Sequence, residues 1–310
     1  MPRRFGVGRF QWEVVEGWPK TEIKGVAADV ACDSAGRVYV GVRNIPPGGG
    51  VGNILPGVGH VLVLNPDGSY RSDWGDTFSS PHGIWINGND EIFVCDTGLH
   101  TVTKHAPSCD VLMTLGTPGA PGQPGAPFNM PTRAKQAPNG DLFVADGYGQ
   151  NRIHRFTADG ELILSWGKGD PVFIQRFRGE PVTGQAGTGP GEFNLPHDVM
   201  VSADSRVYVL DRENKRWQVF TMDGEYLSEA GGMTSPCDVA VDAEGIFHIV
   251  GGGAVDTRTA EGEQLGRWGE RGNEPGQFAY GAHGCWIDAE GSLYIGEVGG
   301  NNRLQKFRRV

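Results

Sequence analysis

The sequence predicts an all-β chain folded as a six-bladed β-propeller, and three observations predict it. Fifty glycines and twenty prolines in 310 residues are too many for a helical protein. They punctuate short apolar runs in the way turns punctuate strands. A short segment also recurs six times: Ala27-Ala28-Asp29-Val30-Ala31, Pro81-His82-Gly83-Ile84-Trp85, Pro131-Thr132-Arg133-Ala134-Lys135, Pro196-His197-Asp198-Val199-Met200, Pro236-Cys237-Asp238-Val239-Ala240 and Ala282-His283-Gly284-Cys285-Trp286. Its starts lie 54, 50, 65, 40 and 46 residues apart, within or a little above the range of propeller blades. Repeat architectures often exceed the usual domain length as one unit, so residues 1–310 read as a single domain.

The elements follow in chain order. Phe10-Gln11-Trp12-Glu13-Val14-Val15 is a strand with no partner nearby, and blade 6 runs out of chain after Leu304-Gln305-Lys306-Phe307 with only three strands. The first can supply the fourth strand of the last blade and close the ring, which removes the exposed edges of an open sheet. Blade 2 shows the full plan: Gly83 to Ile86, the turn Asn87-Gly88-Asn89-Asp90, Ile92 to Asp96, then outer strands Thr101 to His105 and Val111 to Leu115. Blade 4 matches with Val199 to Val201, Val207 to Asp211, Trp217 to Phe220 and Glu225 to Ser228. Asp67-Gly68, Asp159-Gly160, Asp223-Gly224 and Glu244-Gly245 stand where hairpins need positive φ. The Gly/Pro-rich stretch Lys168 to Gly191 reads as a long surface loop, and Pro46 to Gly59 as a glycine-rich loop that could shape a pocket.

The second position of the repeat reads Ala28, His82, Thr132, His197, Cys237, His283, so the histidines fall in alternate blades. Alternation in a closed ring spaces three imidazoles evenly about one axis. Three neutral nitrogens with a fourth position open form the ligand set of a catalytic zinc. Cys237, in the same slot, reads as a wall residue, because free cysteine is commonly just buried. The remaining histidines, His60, His100, His105, His154 and His248, share no slot and carry no assigned role.

In a propeller, the start of a blade's first strand and the end of its second share one face. That places Arg43, Tyr148 and Arg212, which follow second-strand ends, at the same mouth as the histidines. Arg43 and Arg212 occupy equivalent positions in blades 1 and 4. Two guanidinium forks facing one cavity suit a carboxylate substrate, and the competing reading pairs each with a strand-end acid such as Asp211 or Glu297. Tyr148 lies in Asp146-Gly147-Tyr148-Gly149, where the glycines permit close approach, and a phenol beside positive charge can serve as a base.

Composition excludes several classes. A net charge of −10 argues against nucleic acid as a partner. No run is long enough for a membrane span, and Met1-Pro2-Arg3-Arg4 is not followed by an apolar signal core. Five cysteines (Cys32, Cys95, Cys109, Cys237, Cys285), odd in number and without a CxxC pair, point to buried thiols in a reducing cytoplasm.

Pro190-Gly191-Glu192-Phe193, Pro275-Gly276-Gln277-Phe278 and Pro124-Gly125-Ala126-Pro127-Phe128 each precede a blade start by a few residues. They resemble the lead-in motif of NHL-type repeats. Pro81-His82-Gly83-Ile84, Ala145 to Ile153, Leu195-Pro196-His197-Asp198 and Val209 to Asn214 resemble the lyase domain of the peptidylglycine α-amidating enzymes. That family is a six-bladed propeller with zinc on three histidines, and it cleaves the C–N bond of an α-hydroxyglycine to an amide and glyoxylate. The resemblance implies His82, His197 and His283 as zinc ligands, Tyr148 as the base, and Arg43 and Arg212 as active-site arginines, Arg43 falling ten residues after Asp33 as the family pattern requires.

The chain departs from the family at Gly284, where an aspartate helps hold a structural calcium, at Gly281 for a methionine, and at Gly149 for a disulfide-bonded cysteine. Val30 and Ile84 match positions that offer carbonyls to that calcium, and Asp29 or Asp198 is the expected stand-in for its carboxylate. The expected activity is a zinc-dependent lyase acting on a small carboxylate-bearing hydroxy-amide or carbinolamine. The alternatives are a zinc hydrolase of lactonase or amidohydrolase type, and a non-catalytic NHL-type interaction module, which has no need of symmetry-placed histidines.

Overall fold

A computed structural model describes residues 3–43, 58–279, 281–299 and 303–310. Apart from Val58 and Gly59, the glycine-rich loop from Pro46 lies outside the described residues. Five four-stranded antiparallel sheets and one of five strands make a six-bladed β-propeller, only 2% helical. No helix among the described residues is long and apolar enough to cross a membrane.

Blade 2 comprises Pro81–Ile86, Ile92–Asp96, Thr101–His105 and Val111–Leu115, and blade 4 comprises Pro196–Val201, Val207–Asp211, Arg216–Phe220 and Tyr226–Ala230. In blade 4 the first strand begins earlier than its apolar run because a bulge lets pairing continue through the repeat segment. In blade 4 Pro196 pairs with Asp211 and Asp198 with Leu210, which leaves His197 as the extra residue. The same register shift skips Ala28 in blade 1 and His283 in blade 6. A bulge re-aims the side chain it carries, and here the re-aimed side chain is the second position of the repeat. The four Asp-Gly and Glu-Gly turns all carry glycine at positive φ, as the hairpins require.

The N-terminal strand Phe10–Val14 pairs with Leu304–Arg309 and supplies the fourth strand of the last blade. Arg4–Val7 adds a further strand outside it that the sequence does not announce.

Packing groups residues 1–90 with 237–310 as one compact unit and residues 91–236 as another. In the first, Trp12, Trp268, Phe278 and Phe307 share one core, and Val30, Val40, Leu62, Leu64 and Tyr294 another. In the second, Phe143, Phe193, Val209 and Phe220 form the centre. Phe193 and Phe278 end the NHL-like motifs and are completely buried, so that motif is a core plug that leads the chain into the next blade.

The segment Lys168 to Gly191 is not a plain loop, since it contains the helix Val172–Arg178. Pro171 precedes this helix and Gly179 closes it in the left-handed conformation, with Val172 and Ile174 buried beneath it. Asp170 ties the base of the segment together, its N–H donating to the Gln185 carbonyl and its carboxylate accepting from the Gln185 amide.

Candidate metal centre

In the unit of residues 91–236, the turn that carries Tyr148 is held by Asp146. This buried carboxylate accepts from the Asn129 amide, from Gln150 Nε2 at 2.7 Å, and lies 3.2 Å from His154 Nε2. The flanking glycines are required by packing. A Cβ on Gly147 would overlap the Pro196 carbonyl, and one on Gly149 would overlap Asn129. Tyr148 is thereby buried, with its hydroxyl 3.0 Å from His197 Nε2.

Asp211 organises the next turn in the same way, accepting from the Asn194 amide, Asn214 Nδ2 and Arg216 Nε. Burial pushes its carboxyl above the usual range, and these donors oppose the shift. Asp211 is ion-paired with Arg216, and Glu297 with Arg303. Arg212 pairs instead with Glu213 at 2.9 Å. Its Nη1 stands 3.5 Å from the Tyr148 hydroxyl and its guanidinium lies over the Phe173 ring at 4.6 Å. Phe173 in turn packs on Tyr148, with ring centroids 5.7 Å apart. The insert therefore walls the tyrosine–arginine pair with an aromatic face.

His197 is completely buried. Besides Tyr148 it meets Arg133, whose Nη1 lies 3.0 Å from Nδ1. Two residues on, Lys135 Nζ donates to Asp198 at 2.6 Å. Neither cation was singled out by sequence reasoning. The available signal was two basic side chains on the first strand of one blade, Arg133 and Lys135, where the other blades carry Asp or Gly and Ala, Trp or Met at the matching positions.

In the unit formed by residues 1–90 and 237–310, the His82 and His283 rings are edge-to-face, 4.8 Å between centroids. His283 Nδ1 donates to the Ala28 carbonyl at 2.6 Å. Arg43 ends the strand Val38–Arg43, pairs in register with Val26 and Gly59, and is buried. Cys237 is buried, as are Cys32, Cys95 and Cys285, and Cys109 is of intermediate exposure.

The strands bearing these two histidines are clasped by aspartates at the third position of the preceding blade. Asp29 accepts from the amide of Ile84, two residues after His82, at 2.9 Å. Asp238 accepts from the amide of Cys285, two residues after His283, at 2.7 Å. Each also accepts from the amide that follows it. Asp238→Ala removes an acceptor from two buried amides, and at about 1–3 kcal/mol for each unsatisfied group it should lower stability by roughly 2–6 kcal/mol. A fall in the urea midpoint at unchanged slope measures this, and a shift of under about 1 kcal/mol would show that the clasp is dispensable.

One nitrogen from each of His82, His197 and His283 lies within 4.8 Å of the other two, and all three residues are buried. Three histidines so placed could hold a metal ion. Zinc–nitrogen bonds of about 2.1 Å separate tetrahedral ligands by about 3.4 Å, so the three nitrogens would close by up to about 1.4 Å to hold the ion. His283 suits it further, because a ring that donates Nδ1–H to a carbonyl presents a lone pair at Nε2. The carboxylates expected to stand in at a structural calcium already have other partners. Both Asp29 oxygens accept amides, Asp198 is paired with Lys135, and any Cβ at Gly284 would overlap the Asp29 carboxylate. The space where the family pattern has an aspartate is filled by Asp29 itself.

No protein-family model matches the chain. It is 34% identical over 228 residues to NHL repeat-containing protein 3 of Mus musculus, spanning 68% of this chain and 57% of that protein. It is 32% identical over 184 residues to a probable peptidyl-alpha-hydroxyglycine alpha-amidating lyase of Caenorhabditis elegans, spanning 58% of this chain and 47% of that protein. The chain thus spans about half the length of these curated relatives. A gluconolactonase of known structure from Xanthomonas campestris superposes with a TM-score of 0.65 at 15% identity, over 99% of this chain and 95% of the other. At that identity the likeness concerns the propeller fold.

Proposed function

We propose that the chain is a zinc-dependent lyase that cleaves the C–N bond of a small carboxylate-bearing hydroxy-amide or carbinolamine. The observation that carries this reading is the buried three-histidine cluster with Tyr148 against one of its members and Arg212 against Tyr148. His82, His197 and His283 would hold the metal. Zinc, when bound, supplies Lewis acidity toward an oxygen of the substrate.

The chain's own residues do the rest. The Tyr148 oxygen takes the hydroxyl proton, helped by the Arg212 guanidinium, which favours the phenolate. As the O–H bond breaks, its electrons form the new C=O bond, the C–N bond breaks, and the nitrogen takes up a proton to leave as the amide. Arg212 and Arg43 hold the carboxylate that departs on the carbonyl product, glyoxylate in the simplest case. Phe173 shields the Tyr148–Arg212 pair from water on one side. The five cysteines, odd in number and mostly buried, are read as fitting a reducing, cytoplasmic setting.

The test is glyoxylate release from N-acyl-α-hydroxyglycines by chelator-stripped protein before and after one equivalent of zinc. Activity should return with the metal. In Arg212→Ala, loss of charge-assisted hydrogen bonds of about 1.5–3 kcal/mol should raise KM about 10- to 100-fold, with a smaller effect on kcat. An unchanged KM would remove Arg212 from substrate binding.

A further inference from the structure

We infer that Arg133 competes with the metal for His197 and so holds the metal affinity of the site down. The inference rests on the metal reading above and assigns a regulatory residue to that site.

Arg133 stands at the third position of its repeat, where blades 1 and 5 carry the clasping aspartates Asp29 and Asp238. Those two reach forward to an amide in the next histidine-bearing blade and leave the imidazole to other partners. Blade 3 also precedes a histidine-bearing blade, but its third residue is an arginine, and it reaches the imidazole itself: Nη1 lies 3.0 Å from His197 Nδ1. This side chain is 2% exposed and is among the largest fully buried ones, so the contact is made in the interior, away from solvent.

The chemistry of that contact is one-sided. A guanidinium has donors and no acceptor, so His197 Nδ1 must accept. The proton of the neutral ring then sits on Nε2, which faces the Tyr148 oxygen at 3.0 Å. While both contacts stand, the ring's lone pair is directed at Arg133. Metal-binding histidines ordinarily show the reverse, donating their second N–H to a carboxylate or carbonyl, as His283 does to Ala28. Coordination by His197 through Nε2 requires Nδ1 to carry the proton, and an N–H cannot face a guanidinium N–H. Arg133 must therefore leave His197 when the metal arrives. A buried cation beside a dication site opposes loading by simple repulsion as well.

His283 is thus preset for coordination, while His197 is held by a latch that the metal has to displace. A site of this kind fills when free metal is plentiful and empties when it is scarce.

The experiment titrates chelator-stripped protein with zinc alone, in competition with a chromophoric chelator. Wild type is compared with Arg133→Met and Arg133→Gln, which remove the charge, and Arg133→Lys, which keeps it. Far-UV circular dichroism and urea midpoints select the variants that are folded. Changes around metal-binding histidines typically move affinity about 10- to 100-fold. Either neutral variant should therefore bind zinc at least tenfold more tightly than wild type, and Arg133→Lys should stay close to wild type. A neutral variant that binds zinc with equal or lower affinity overturns the latch, since a purely supporting arginine would give that result. Zinc binding by a neutral variant when wild type takes up none supports it. If no protein binds zinc, the metal reading itself fails and the latch falls with it.

Discussion

Replacing His197 with alanine is expected to take bound zinc from about one per chain to below about a tenth, and to reduce C–N cleavage at least a thousandfold. The size of the effect follows from the ligand count. A catalytic zinc site has three protein ligands and an open position, and with two ligands a buried site no longer competes with chelators or solvent. The substitution also removes the acceptor that Arg133 contacts at 3.0 Å, leaving a buried guanidinium with a lost partner. Some destabilisation, on the order of 1–3 kcal/mol, should accompany the loss of metal. His197→Gln keeps an acceptor near Arg133 and should recover part of that stability without recovering zinc. Elemental analysis of both variants beside wild type checks the pair of outcomes. Retention of a full equivalent of zinc by folded His197→Ala would show that the three-histidine cluster is not the metal site.

The second large effect is expected at Tyr148. Tyr148→Phe removes only the hydroxyl, so the ring keeps its packing on Phe173 and the flanking glycines keep theirs on Pro196 and Asn129. A positioned general base is worth about 10²–10⁴ in rate, and kcat should fall by that factor while zinc content and KM change little. The loss should be confined to turnover because the group acts on a proton in flight. A variant with wild-type kcat would exclude Tyr148 as the base. A variant that loses zinc would assign the hydroxyl to holding His197, which it meets at 3.0 Å.

The parts legible in the sequence were those written as repeats. Blade starts, positive-φ turns and the alternation of His82, His197 and His283 are local patterns that need no tertiary knowledge, and so is the N-terminal strand left over to complete the last blade. Arg133 was less legible because its meaning lies in a contact 64 residues away, across to the next blade. The clasps of Asp29 on Ile84 and Asp238 on Cys285 span 55 and 47 residues, and nothing at either end announces the other. The helix Val172–Arg178 was hidden in a segment rich in glycine and proline. Its apolar residues serve two different faces, Val172 and Ile174 inward and Phe173 toward Tyr148, so no simple periodicity marks it. The double role of Asp29 was hidden for a related reason, since only the structure shows that each of its oxygens accepts an amide.

The lyase reading is tested most directly by the products of N-benzoyl-α-hydroxyglycine with zinc-loaded protein, measured above an enzyme-free control. Cleavage of the C–N bond predicts benzamide and glyoxylate in equal amounts, formed only when zinc is present. Benzoate carrying oxygen from the solvent would instead mean hydrolysis of the amide, and would contradict the lyase assignment.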